Sequence, residues 1–259
     1  MYETGLERNA ANFVPLSPVS FLPKAAHMYG AHTAIVQGAR HQDWARTYAR
    51  CRQLAGALAA RGIGRGDTVA IMAPNTLPMA EAHYFVPMTG AVLNCLNIRL
   101  DAASIAFQLR HGAARVLFVD REFSTTARLA LELLPAGARP FVVDIDDTEA
   151  RGGGLIGAIE YEAFRETGDA AFMGAGPADE WDAISLNYTS GTTGDPKGVV
   201  AHHRGAYLNA CANALTFALG PTSVYLWTLP MFHCNGWTYT WAVTLAGGTH
   251  VCLRRVDPA

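Results

Sequence analysis

Cysteine is scarce in this chain. Its five residues (Cys51, Cys95, Cys211, Cys234 and Cys252) are widely spaced, odd in number and without a C-x-x-C pair. That excludes a disulfide framework and a cysteine-built zinc site. An excess of either charge is also missing. Twenty Lys and Arg against 22 Asp and Glu leave a formal charge of -2, which argues against nucleic acid or an anionic membrane as the main partner. No stretch approaches the ~20 apolar residues of a membrane span. The start, Met1 to Glu7, has no basic segment leading into an apolar run, so no secretory leader is read there. The expected location is the cytoplasm. No internal repeat is found. What the chain does have is apolar residues: half of 259, enough to bury a sizeable core in one or two domains.

Periodicity supplies the fold class. Cys51, Leu54, Ala55, Leu58 and Ala59 recur at helical spacing, with Thr47 a candidate cap and Gly62 a stop. Thr68 to Ala73 is a continuous apolar run, as in a strand buried on both faces. Helices are then expected at about 77–89, 102–111 and 125–134, alternating with strands at 92–96, 116–119 and 141–145. Such alternation predicts an α/β fold with mostly parallel sheets flanked by helices. Composition shifts after Asp144, and residues 168–182 are small, acidic and loop-like. A division is therefore expected near 180: residues 1–180 as a first α/β subdomain and 181–259 as the start of a second. The second part reads as a strand at 184–188, a loop, a strand at 198–201, a helix at about 205–219, and strands near 224–229 and 249–253. In that helix Leu208, Cys211, Ala212, Leu215 and Leu219 form one apolar stripe, expected to face the core.

The most informative stretch is Tyr188-Thr189-Ser190-Gly191-Thr192-Thr193-Gly194-Asp195-Pro196-Lys197-Gly198. Glycines let the backbone turn and bring N–H groups close to an oxyanion. The hydroxyls and the Lys197 ammonium add donors, each charge-assisted bond contributing about 1.5–3 kcal/mol. The stretch reads as a loop for a polyphosphate. It is not a Walker loop: Pro196 stands where the second glycine belongs and Gly198 where Ser/Thr should follow the lysine. The run Gly198 to Ala201 looks extended, so the loop joins strand to strand.

This stretch resembles the phosphate-loop signature of the adenylate-forming superfamily, which includes acyl- and aryl-CoA synthetases. Leu229-Pro230-Met231-Phe232-His233-Cys234-Asn235-Gly236-Trp237 resembles the next signature of that family at the expected distance. Residues Arg65 to Asn75 and Gly90 to Leu100 are similar to its early strand-and-turn segments, so the likeness runs from about Phe21 to Val256. The resemblance implies an ATP-dependent acid–CoA ligase acting on a short- or medium-chain fatty acid or an aryl carboxylic acid. ATP, Mg²⁺ and CoA as co-substrate come with it. It assigns Thr189, Ser190, Gly191, Thr192, Thr193, Gly194 and Lys197 to the nucleotide, and Thr189 also to Mg²⁺. His233 would line the acid site and orient the reacting carboxylate, and Trp237 would line or gate the acyl pocket. Relatives run to about twice this length and carry further site residues in their second half. None is found here, so the expectation is a first half with little or no complete ligase activity. A homodimer is compatible with the chain. The alternative is a stand-alone nucleotide-binding or interaction module without catalysis.

Other residues invite chemistry less strongly. Adjacent His202 and His203 on an extended segment point to opposite faces and cannot easily share a metal, so capping and solvation are expected of them. Cys234 beside His233 does not make a productive thiol pair. Asp120-Arg121-Glu122 and Arg254-Arg255 read as solvated charges.

Overall fold

The computed structural model describes residues 2, 4–174, 176–189 and 196–256. In chain order the elements are α1 (Phe21–Tyr29), β1 (Thr33–Gln37), β2 (Arg40–Asp43), α2 (Trp44–Ala60), β3 (Thr68–Met72), α3 (Leu77–Met88) and β4 (Val92–Cys95). Then come α4 (Ala102–His111), β5 (Ala114–Asp120), α5 (Ser124–Glu132), β6 (Phe141–Ile145), β7 (Ile159–Glu160) and α6 (Tyr161–Glu166). The last are β8 (Ala183–Tyr188), β9 (Gly198–His202), α7 (His203–Thr216), β10 (Val224–Trp227), α8 (Tyr239–Ala246) and β11 (Thr249–Cys252).

Two sheets result. A seven-stranded sheet has the order β7-β6-β5-β3-β4-β8-β9, parallel except for the β8–β9 hairpin. A four-stranded sheet has the order β10-β11-β1-β2. The fold class expected from periodicity is the one observed. β3 is buried at every position, as its unbroken apolar run requires. Val69, Ile71 and Phe118 pack into one core and Ala70, Met72 and Leu117 into another, so the large sheet is covered on both faces. Strands from both sides of residue 180 share each sheet: β8 and β9 extend the large one, while β10 and β11 join β1. The compositional shift at 168–182 therefore marks a connection between strands of common sheets.

Three expectations are corrected. The helix expected from Thr47 begins at Trp44, because the Asp43 carboxylate accepts from Arg46 N–H at 2.7 Å and takes the cap. Thr47 is instead buried, its hydroxyl donating to Asp43 O. The stripe expected on α7 faces the core only in part: Cys211 and Leu219 are half-buried and pack against it, whereas Leu208 and Leu215 are 46% and 83% exposed and the fully buried residues are His203, Ala206 and Ala210. α7 carries apolar residues all round, and its small face makes the approach to the sheet. Finally, Asp120 and Arg254 are not solvated. The Arg254 guanidinium donates to Asp120, Asp147 and Glu122 at 2.6–3.0 Å, with Asp120 fully buried. Burial opposes the Arg254 charge, but these carboxylates outweigh it and hold the group above its ordinary value. This cluster ties the chain after β11 to the ends of β5 and β6.

Candidate active site

The β8–β9 hairpin sets the base of the glycine-rich loop. Tyr188 pairs with Gly198, Thr189 N–H donates to Lys197 O at 3.0 Å, and Lys197 N–H approaches Thr189 Oγ1 at 3.4 Å. The strand-to-strand connection read from the sequence is thus observed. Thr189 and Lys197 form the neck of the loop, both exposed. Ser190, Gly191, Thr192, Thr193 and Gly194 lie outside the described residues. His202 caps α7 through Nδ1, which accepts from Gly205 N–H at 2.8 Å. His203 turns away into the interior against Ser17 Oγ at 2.8 Å.

A cavity of about 810 Å³ opens at the C-terminal ends of β4 and β8, where parallel α/β sheets place their ligands. Thr189 and Pro196 of the hairpin form one side and Phe232, His233, Cys234 and Asn235 another. Gly205, Ala206 and Asn209 of α7, with Ser104 and Gln108 of α4, complete it. The structure therefore brings the two sequence signatures, 188–198 and 229–237, onto one cavity. Thr189 and His233 both line it; Lys197 is not among its lining residues. Trp237 is 60% exposed and is not among them either, whereas Trp241 is. The wall between α4 and β8 includes Tyr188, whose Oη lies 2.8 Å from His111 Nδ1 and whose phenol is pushed upward by burial.

The approach to His233 is fixed by Asn75, in the connection between β3 and α3. Its amide donates to Trp227 O at 2.9 Å and Leu229 O at 3.0 Å, and accepts from Met231 N–H at 2.7 Å. One buried side chain thus satisfies three backbone groups of the segment that delivers His233. Asn75→Ala leaves them unpaired and is expected to cost about 2–4 kcal/mol. A urea midpoint comparison with Asn75→Asp, which lacks the two donors, checks this.

Beyond His233 the chain makes an unusual turn. Cys234, Asn235, Gly236, Trp237 and Thr238 all have φ between 48° and 64°. Four of the five carry a Cβ, and each non-glycine residue in the left-handed region costs about 1–2 kcal/mol. Gly236 is required, since a Cβ there would sit 2.4 Å from the Trp227 ring. The turn is held from outside: Thr240 Oγ1 donates to Asn235 O, and Asn209 and Asn213 of α7 donate to its C-terminal end. Asn235 Nδ2 also approaches the Cys95 thiol at 3.8 Å. Behind Cys95 lies His83, its Nε2 3.9 Å from the sulfur. Burial pushes the Cys95 thiol well up and His83 down to about 4, so this pair is neutral and supplies no thiolate. Among the described residues no group of three His, Cys, Asp or Glu is arranged to hold a metal ion.

Sequence reasoning passed over Asn75, Asn209 and Asn213. Asn75 lies inside a quoted motif, but its partners are more than 150 residues away. The two asparagines of α7 sit four residues apart, a signal that is readable only once the helix face is known.

The structure combines a mostly parallel α/β sheet, an edge hairpin and a cavity at the strand ends. The chain belongs to the AMP-binding enzyme family, whose model matches residues 22–259. It is 48% identical to an acetate–CoA ligase of Humulus lupulus over 97% of this chain and 46% of that protein. It is 49% identical, with the same coverage, to a peroxisomal acetate/butyrate–CoA ligase of Arabidopsis thaliana. The chain thus spans about half the length of these relatives. The fold matches a long-chain-fatty-acid–CoA ligase of Archaeoglobus fulgidus with a TM-score of 0.82, at 20% identity over 95% of this chain and 48% of that one. Among the described residues no helix is long and apolar enough to cross a membrane.

Proposed function

We propose that this chain forms the nucleotide- and acid-binding half of an AMP-forming acid–thiol ligase acting on a short-chain or aryl carboxylic acid. The observation that carries this reading is the shared cavity, with Thr189 at the loop neck and His233 on the facing wall. A carboxylate is a poor electrophile. Its oxygen attacks the α-phosphorus of ATP, pyrophosphate leaves, and the acyl-adenylate is then open to a thiol, with AMP leaving in turn. The chain's share is positioning and charge stabilisation. Lys197, the Thr189 hydroxyl and Ser190 to Gly194 cradle the phosphates. His233, on the facing wall, orients the carboxylate. Mg²⁺, when bound, neutralises phosphate charge; Mg²⁺ takes much of its shell from phosphates and water, so the Thr189 hydroxyl as one protein ligand fits it. Residues supplied by the second half of the relatives complete the reaction. The relatives' names, with acetate, butyrate and benzoate among their acids, support a small acid here.

Calorimetric titration with Mg-ATP tests the reading. The parent chain is expected to bind. Lys197→Ala removes one charge-assisted contact of about 1.5–3 kcal/mol, a loss of roughly ten- to a hundredfold in affinity. Equal affinity in both chains contradicts the assignment of the loop.

A further inference from the structure

The left-handed turn 234–238 forms the cavity wall at Cys234, Asn235 and Thr238. A backbone in this region persists only where surrounding groups determine it. The groups that do so at its C-terminal end are two side chains of one helix. Asn213 Nδ2 donates to Trp237 O at 2.9 Å and to Thr238 Oγ1 at 3.0 Å. Asn209 Nδ2 donates to the same hydroxyl at 2.8 Å. The two asparagines stand at i and i+4 on α7, hence on one face. Neither side chain makes another hydrogen bond among the described residues. Asparagine is a poor helix former, and neither residue contributes to the apolar core. Their hydrogen bonds go to the turn, and Asn209 also lines the cavity beside it.

We propose that Asn209 and Asn213 are a latch that holds residues 234–238 left-handed and so positions His233 and Asn235 on the acid side of the cavity. They are positioning residues, acting through the Thr238 hydroxyl and the Trp237 carbonyl. The latch should affect the carboxylate and leave the phosphates, which the β8–β9 hairpin holds, almost untouched. That consequence rests on the ligase reading; the conformation of the turn does not.

The test uses the full 259-residue chain. Backbone carbon shifts and HN–Hα couplings of residues 234–238 report the sign of φ directly. Calorimetry with benzoate and, separately, Mg-ATP reports the two halves of the site. In the double variant Asn209→Ala/Asn213→Ala the left-handed signature is expected to vanish while shifts elsewhere hold. Benzoate affinity should fall about tenfold and Mg-ATP affinity change less than twofold. Thr238→Ser, which keeps the acceptor, should keep the left-handed signature; Thr238→Val should lose it as the double variant does and replaces that variant if it does not fold. Persistence of the signature in the double variant or in Thr238→Val overturns the latch, as does an equal fall in both affinities. If the parent binds neither probe, the ligase reading fails. The shifts alone then decide the latch: loss supports it and persistence refutes it.

Discussion

Acidification from pH 6.5 to about 4 is expected to remove stability at up to about 4 kcal/mol per pH unit. Three histidines drive it. Burial lowers His83 and His203 to about 4 and His250 to about 3, against an ordinary value near 6.5. The unfolded chain therefore takes up their protons from pH 6.5 downward, while the folded chain does not until near 4. Stability is complete above pH 6.5 and declines as pH falls through this window. Each proton contributes about 1.36 kcal/mol per unit, so three give about 4. The geometry explains the strongest case. His250 Nδ1 accepts from Trp227 Nε1 at 3.0 Å, leaving the ring proton on Nε2, 3.1 Å from the Thr244 hydroxyl. That hydroxyl donates its own hydrogen bond to Thr240 O at 3.1 Å. A second proton on Nδ1 would face the Trp227 N–H. His83 is neutral in the same sense, its Nδ1 against Met79 O and its Nε2 against Cys95. Urea midpoints between pH 7.5 and 4.5 measure the slope. His250→Gln, neutral throughout, should lower that slope by about one third. A flat profile down to pH 5 contradicts the assignment.

Glu81→Ala is expected to cost about 3–5 kcal/mol. Glu81 is fully buried in α3 and accepts from Arg50 Nε at 2.6 Å, Tyr161 Oη at 2.7 Å and Gln42 Nε2 at 3.0 Å. These donors come from α2, α6 and β2, so one carboxylate joins four elements. Burial opposes the Arg50 charge, but Glu81 and Glu162 outweigh it and hold the guanidinium above its ordinary value. Removing Glu81 leaves that charge in the interior with only the half-exposed Glu162 as partner. Replacing both members, as in Arg50→Met/Glu81→Leu, should be far milder than Glu81→Ala. Two buried charges and their desolvation then disappear together. The midpoints of the two variants decide it. A cost for the double replacement equal to that of Glu81→Ala would show that the pair, and not an orphaned charge, carries the effect.

The fold was largely legible because β3 reads as an unbroken apolar run and β5 and β6 carry apolar stretches at Val116–Val119 and Phe141–Val143. Among the helices between them α4 and α5 carry an apolar face, while α3 is buried all round. α7 was misread because apolar residues surround it, so the pattern locates a helix without choosing a face. Arg254 reads as a surface charge in the sequence because its three carboxylate partners lie over 100 residues away, and sequence spacing carries no sign of them. The same limit hid Asn75. At the site, the glycine and hydroxyl content of 188–198 and the segment ending in His233 were visible as signatures. That both face one cavity follows only from the placement of β8 beside β4, a pairing of distant strands.

The most direct test of the central claim is calorimetric binding of a non-reactive butyryl-adenylate mimic, with the acyl phosphate replaced by an acyl sulfamate. If one cavity holds both the nucleotide and the acid, the parent chain binds it more tightly than AMP or butyrate alone, and Lys197→Ala and His233→Ala each weaken it. Binding no tighter than AMP, or indifferent to His233→Ala, would contradict a joint site.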